Sequence, residues 1–219
     1  MNHPPVVSMS EWHLAHEELL AKEKQHTRAS DALAAERRRQ PIAVIDADYV
    51  FTAPDGSPQN LPELFDGHAQ LVIYHHMLEP GQDWVCDGCA QFADNIGHLE
   101  HLNARDTRLI LMARAPQSEI DLVRQRMGWT VPWYSADGNT FYDDLDLGRY
   151  QSLSVLVRVG DLVYRSYYTT GRGVDRLGID NNLLDLTPYG RQEAWEESPE
   201  GWPQIPTYSW RRIRDEYGT

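Results

Sequence analysis

Leu71-Val72-Ile73-Tyr74-His75-His76-Met77-Leu78, followed at once by Cys86-Asp87-Gly88-Cys89 and then by Ala90 to Asn103, is the stretch that decides how this chain is read. The first segment is an apolar run of strand length, and the last has the composition and spacing of a helix. Between them lie the only two cysteines of the 219-residue sequence, two residues apart. Strand, C-x-x-C and helix in that order is the local arrangement a dithiol redox site needs.

The surroundings extend the pattern. Arg108-Leu109-Ile110-Leu111-Met112-Ala113 is a short apolar run of the kind found in buried parallel strands, and Gln117 to Met127 reads as a helix opened by Pro116 and closed by Gly128. Residues 71–128 therefore read β-α-β-α, which implies parallel strands joined by right-handed crossovers. Leu153 to Val159, the turn Gly160-Asp161, and Leu162 to Tyr168 then form a hairpin. A parallel β-α-β unit followed by an antiparallel hairpin is the element order of a thioredoxin-like α/β core, a three-layer sandwich.

Residues 1–41 form an N-terminal arm. One amphipathic helix is expected over residues 8–40, with Ser8 and Glu11 at capping-box spacing, Trp12, Ala15, Leu19 and Leu20 at helical intervals, Arg37 to Arg39 at the negative end of the dipole, and Pro41 as the stop. Past Leu20 the pattern is mostly polar, placing that half on a surface or against a partner subunit, so a homodimer through this helix is expected. Ile42 to Phe51 reads as a strand ended by the turn at Pro54-Asp55-Gly56-Ser57, and Leu61 to Phe65 as a short helix or turn. The thioredoxin-like domain is placed at residues 42–182. Residues 183–219 contain four prolines and three tryptophans with few periodic runs, and so read as an irregular tail packed over the domain, ending in a short helix at Trp210 to Glu216.

Composition narrows the function. A hydrophobic content of 41% is enough for a proper core. Twenty basic against thirty-three acidic side chains give a net charge of −13, which repels phosphate backbones and anionic membranes, so neither nucleic acid nor a membrane is an expected partner. No apolar run has transmembrane length, and the N-terminus lacks the basic and apolar regions of a signal peptide. A cytosolic location is expected, where a lone C-x-x-C is redox-active or metal-binding rather than a structural staple.

A dithiol exchange site needs one exposed thiolate that attacks and a second thiol close enough to resolve the mixed disulfide. At the first turn of a helix, the amides and the dipole stabilise the first sulfur while the second lies further in. Cys86 is thus the expected nucleophile and Cys89 the resolving thiol. Asp83 and Asp87 add negative charge that opposes the Cys86 thiolate. No cofactor is called for beyond an external electron donor, and the expected partners are a thiol or disulfide substrate and a reductant.

Three rivals stand beside this reading. A Cys₂His₂ zinc site would draw on His75, His76, His98 or His101. In a continuous helix, however, His98 lies about 13 Å along the axis from Cys89, and the adjacent His75 and His76 face opposite ways on a strand. A peroxidase of the peroxiredoxin type would carry a proline seven positions, and a threonine three positions, before its attacking cysteine. Glu79 and Asp83 occupy those places, with Arg114 as a candidate neighbour of the site. The third rival is a non-catalytic binding protein that keeps the fold. Trp129, Trp133 and Tyr134 are candidates for a substrate groove or for core packing, and Gly171-Arg172-Gly173 lacks the spacing of a phosphate loop and reads as a turn.

These residues resemble a known family. Glu18-Leu19-Leu20 with Glu23-Lys24, Tyr49-Val50-Phe51, Leu64-Phe65-Asp66-Gly67, the C-x-x-C, Arg114-Ala115-Pro116, Gly128-Trp129 and Leu186-Thr187-Pro188-Tyr189-Gly190-Arg191-Gln192-Glu193 are similar to the bacterial family called domain of unknown function 899, over nearly the whole chain. That resemblance implies a thioredoxin-like fold and a dithiol-disulfide oxidoreductase label. Thioredoxins place a cis-proline just before the hairpin, whereas this chain has Arg149-Tyr150-Gln151-Ser152 there.

Overall fold

The computed structural model describes residues 2–45 and 48–218. Its centre is an eight-stranded sheet made of β1 (Ala43–Ile45), β2 (Val50–Thr52), β3 (Pro58–Asn60), β4 (Gln70–His75), β5 (Thr107–Ala113), β6 (Trp133–Ser135), β7 (Ser152–Val159) and β8 (Leu162–Thr170), in the spatial order β1-β8-β7-β4-β5-β6-β2-β3. The helices are α1 (Met9–Arg37), α2 (Asp87–Asp94), α3 (Glu100–Asn103), α4 (Gln117–Met127), α5 (Phe141–Asp144) and α6 (Ile179–Leu184).

Within this sheet β4 pairs in parallel with β5 and antiparallel with β7, and β7 pairs antiparallel with β8. The order β8-β7-β4-β5, with α2 crossing from β4 to β5, is the thioredoxin arrangement. β6 extends it in parallel beyond β5. The fold is therefore the expected thioredoxin-like α/β sandwich with an N-terminal helical extension and an irregular C-terminal tail.

Alternation along the strands makes two cores, because successive side chains point to opposite faces. One face carries Leu71, Ile73, Ile110, Met112 and Tyr134 under Leu61, Leu64 and Phe65 of a 3₁₀ turn and Phe141 and Tyr142 of α5. The other carries Tyr74, Leu109, Leu111 and Trp133 under Ala90 and Phe92 of α2, Ile120, Val123 and Met127 of α4, and Ile213 of the tail. Trp133 and Tyr134 are thus core residues of β6 rather than the wall of a groove.

Three local expectations are corrected. The predicted strand at 42–51 is two strands at opposite ends of the sheet: β1 pairs with β8, and β2 with β3 and β6, while residues 46 and 47 lie outside the described residues. The predicted helix at 90–103 starts earlier, at Asp87, and stops at Asp94. There Asn95 turns its amide onto the Gln91 carbonyl at 2.7 Å, and α3 is a separate turn. The N-terminal helix forms with both halves of its Ser8–Glu11 capping box, but it buries none of its residues. Trp12 stacks on His16 with ring centroids 4.6 Å apart, while Leu14, Leu19 and Leu33 stay exposed.

Elsewhere the reading and the structure coincide. α4 spans the predicted Gln117–Met127 and ends on Gly128 at φ 65, a left-handed conformation open to glycine without steric cost. The hairpin turns at Gly160-Asp161. The segment from Gly171 is a 3₁₀ turn. No helix among the described residues is long and apolar enough to cross a membrane.

Candidate active site at the start of the second helix

Cys86 is the N-cap residue of α2, with extended backbone at φ −63 and ψ 113. Its sulfur takes the place a serine or aspartate side chain usually fills, accepting the Cys89 amide at 3.2 Å. Cys89 lies one turn in, fully buried, and its sulfur accepts the Met77 amide at 3.4 Å. Both cysteines are free, and Cys86 is the more exposed. The loop leaving β4 and the first turn of α2 together set this asymmetry.

The electrostatics follow the same division. The Cys86 thiol is held below its ordinary value, chiefly by hydrogen bonding from the Cys89 side chain. The Cys89 and Gly88 amides add to this, while burial and the Asp87 carboxylate oppose it. The Asp87 effect expected from the sequence is therefore present but outweighed. Burial pushes the Cys89 thiol well above its ordinary value, and the neighbouring Cys86 adds to that shift. Beneath α2, burial and then the neighbouring Cys89 push the Tyr74 hydroxyl well above its ordinary value, and among the described residues it has no partner with hydrogen-bond geometry.

The histidines separate as their alternation on the strand requires. His75 faces the first core, with one ring nitrogen 3.2 Å from the Tyr142 hydroxyl and the other 2.9 Å from Ser154 Oγ. His76 faces the second, packed against Trp133 at 4.6 Å and Trp129 at 5.9 Å, and among the described residues neither ring nitrogen has a partner with hydrogen-bond geometry. Burial drives both imidazoles down to about 3, with Arg165 and Arg114 assisting at His75. His98 is on the surface, 3.9 Å from Glu100. Among the described residues no three His, Cys, Asp or Glu side chains converge as a metal site requires. Arg114 lies between Glu79 at 3.7 Å, Asp143 at 3.2 Å and the Gly148 carbonyl, with its guanidinium over the Tyr142 ring.

One element of the site gave no signal in the sequence. The C-terminal tail crosses the start of α2 and lays Arg211 against Gly88, so closely that a Cβ at Gly88 would sit 2.9 Å from Arg211 Nη1. Glu193 anchors this tail by accepting the Trp195 and Trp210 indoles and the Tyr208 amide. Beside it a cleft of about 460 Å³ is lined by Val85 and Asp87, the residues flanking Cys86, and by Trp84, Arg126 and Arg211.

A thioredoxin-fold domain with a free C-x-x-C pair at a helix start is the class that fold and site define. The chain belongs to the family described as bacterial protein of unknown function (DUF899), whose pattern matches residues 1–217. No curated protein matches the sequence. Among solved structures, a PrxQ mutant of Xylella fastidiosa is similar at 9% identity and a TM-score of 0.47, covering 66% of this chain and 96% of that one. A peroxiredoxin Q mutant of Xanthomonas campestris is similar at 16% identity and 0.46, covering 64% and 98%. Thioredoxin from Wuchereria bancrofti is similar at 16% and 0.42, covering 62% and 89%.

Proposed function

We propose that this protein is a dithiol-disulfide oxidoreductase in which Cys86 attacks and Cys89 resolves. The observation that carries this reading is the division of labour between two sulfurs one helical turn apart. One is accessible, capped by a helix amide and lowered in pKa; the other is buried and raised. The Cys86 thiolate attacks one sulfur of a disulfide and expels a thiolate, forming a mixed disulfide. Cys89, giving up its proton, attacks Cys86 Sγ and expels the second thiolate. Two electrons and two protons pass from the dithiol to the substrate, and the Cys86–Cys89 disulfide is returned to the dithiol by an external reductant. Buried Cys89 suits this order, because its raised pKa keeps it protonated until the mixed disulfide brings it into play.

The test is a stalled turnover. With bis(2-hydroxyethyl) disulfide, the Cys89→Ser protein should retain one substrate thiol on Cys86, read as a single mass increment, whereas Cys86→Ser should retain none. An adduct on Cys89, or no adduct at either residue, overturns the proposal. The reading extends to assembly as a homodimer through α1, none of whose residues is buried within the chain.

A further inference from the structure

Two arginines of the tail are buried, and they are treated in opposite ways. Arg191 is paired as a structural arginine should be, with Nε and Nη2 on the two Asp185 oxygens at 2.7 Å each and Nη1 on Asp175 at 3.1 Å. Arg211 is 6% exposed, yet among the described residues its guanidinium forms no ion pair, and its Nε has no hydrogen-bond partner. Its contacts are aromatic: the Tyr208 ring at 4.0 Å, with Phe92 and Trp210 at about 6 Å. The carboxylate that senses its charge, Glu193, is occupied by two indoles and an amide.

Burying a guanidinium with no carboxylate partner is costly, and an arriving anion offsets that cost. Arg211 lines the cleft beside Cys86 and lies against Gly88 in the first turn of α2, whose Gly88 and Cys89 amides are already taken by Asp87 Oδ1 and Cys86 Sγ, so Arg211 is the group left to meet an anion there. Of the other two cations of the cleft wall, Arg126 is already matched by Asp215 at 2.7 Å and Glu216 at 3.2 Å, and Arg212 donates to the Ser209 and Arg211 carbonyls. Asp83 and Asp87 make another part of the wall negative, which suits an ammonium group. About 460 Å³ is the size of a small-molecule site.

We propose that Arg211 binds the carboxylate of a low-molecular-weight, amino-acid-derived disulfide and holds its sulfur beside Cys86. This assignment of substrate class rests on the redox reading above. Reduction proceeds as written there: the substrate disulfide leaves as two thiols, and a dithiol reductant restores Cys86 and Cys89.

Two measurements test it separately from that reading. In the first, dithiothreitol-driven reduction of glutathione disulfide is compared with that of bis(2-hydroxyethyl) disulfide, which has no carboxylate. Arg211→Met should lose at least about tenfold more kcat/KM toward the former than toward the latter, as expected when a buried charge-assisted hydrogen bond is removed, and Arg211→Lys should recover part of the difference. Parallel losses on both disulfides, or reduction of insulin disulfides with no dependence on Arg211, overturn the substrate assignment while leaving the dithiol chemistry intact. In the second, the non-reducible S-methylglutathione is titrated into the Cys86→Ser protein and followed by the fluorescence of Trp84 and its neighbours. Saturable binding that Arg211→Met abolishes supports the site even if the protein reduces nothing. Binding that is absent, or indifferent to Arg211, overturns it.

Discussion

The Cys89 amide donates to the Cys86 sulfur at 3.2 Å, so the buried cysteine of the pair also holds the sulfur of the more exposed one. That bond places Cys86 at the N-cap of α2, where backbone amides converge on the sulfur, and it leaves the Cys89 side chain inside the helix. The remaining behaviour of the site depends on how the groups around this pair are buried.

His76 illustrates a buried group held in one protonation state. In the folded chain its imidazole titrates at about 3, below the ordinary 6.5, because burial disfavours the charged form. The unfolded chain therefore binds a proton as pH falls below about 6.5 and the folded chain does not. Stability is fully present above that value and is lost between about 6.5 and 3, by up to about 1.4 kcal/mol per pH unit for each such histidine. His76→Phe keeps the aromatic packing and removes two unpartnered nitrogens, so it should leave the urea midpoint at pH 7.5 unchanged or raised and flatten its fall toward pH 5. A steeper fall in the variant would contradict this account.

His75 should respond differently. Its ring nitrogens are committed to Ser154 and Tyr142, so His75→Phe strands two buried hydroxyls and should cost about 2 kcal/mol at pH 7.5 in urea unfolding. A neutral result would show that those contacts contribute nothing.

Glu193 is the hinge pin of the tail. Burial pushes its carboxyl up, but bonds from Trp195, Tyr208 and Trp210 hold it below its ordinary value. Glu193→Ala removes three charge-assisted hydrogen bonds and should cost about 3 kcal/mol, with a red-shifted tryptophan emission as the indoles meet water. Unchanged emission would mean the tail does not depend on this anchor.

The N-terminal helix supplies a prediction about assembly. The protein should sediment at twice its 25.2 kDa chain mass, and Trp12→Glu combined with Leu19→Glu should shift it to the monomer. A monomeric wild type would remove α1 as a docking surface.

Much of this arrangement is legible in the residues themselves. The β4–α2–β5–α4 unit and the hairpin follow from apolar runs of strand length, helical spacing and the Gly128 and Gly160 punctuation. The C-x-x-C placed both sulfurs, because its position after a strand fixes it at a helix start. Other features have no local signature. Ile42 to Phe51 reads as one strand, yet β1 and β2 pair at opposite ends of the sheet, a choice made by long-range partners. The buried Arg211 sits in a tail without periodicity, and its burial comes from Tyr208, Trp210 and α2 packing around it. α1 shows the reverse, a pattern read as amphipathic whose apolar side chains Leu14, Leu19 and Leu33 stay exposed.

Whether Cys86 is more acidic than an ordinary cysteine thiol is tested directly by site-resolved alkylation. Iodoacetamide labelling of the reduced protein across pH, read by mass spectrometry, should modify Cys86 with a midpoint below that of an ordinary cysteine thiol while Cys89 stays unlabelled. Cys89→Ala should move the Cys86 midpoint upward, since it removes the largest stabilising contact. A Cys86 midpoint at or above the ordinary value, or equal labelling of both cysteines, would contradict the account.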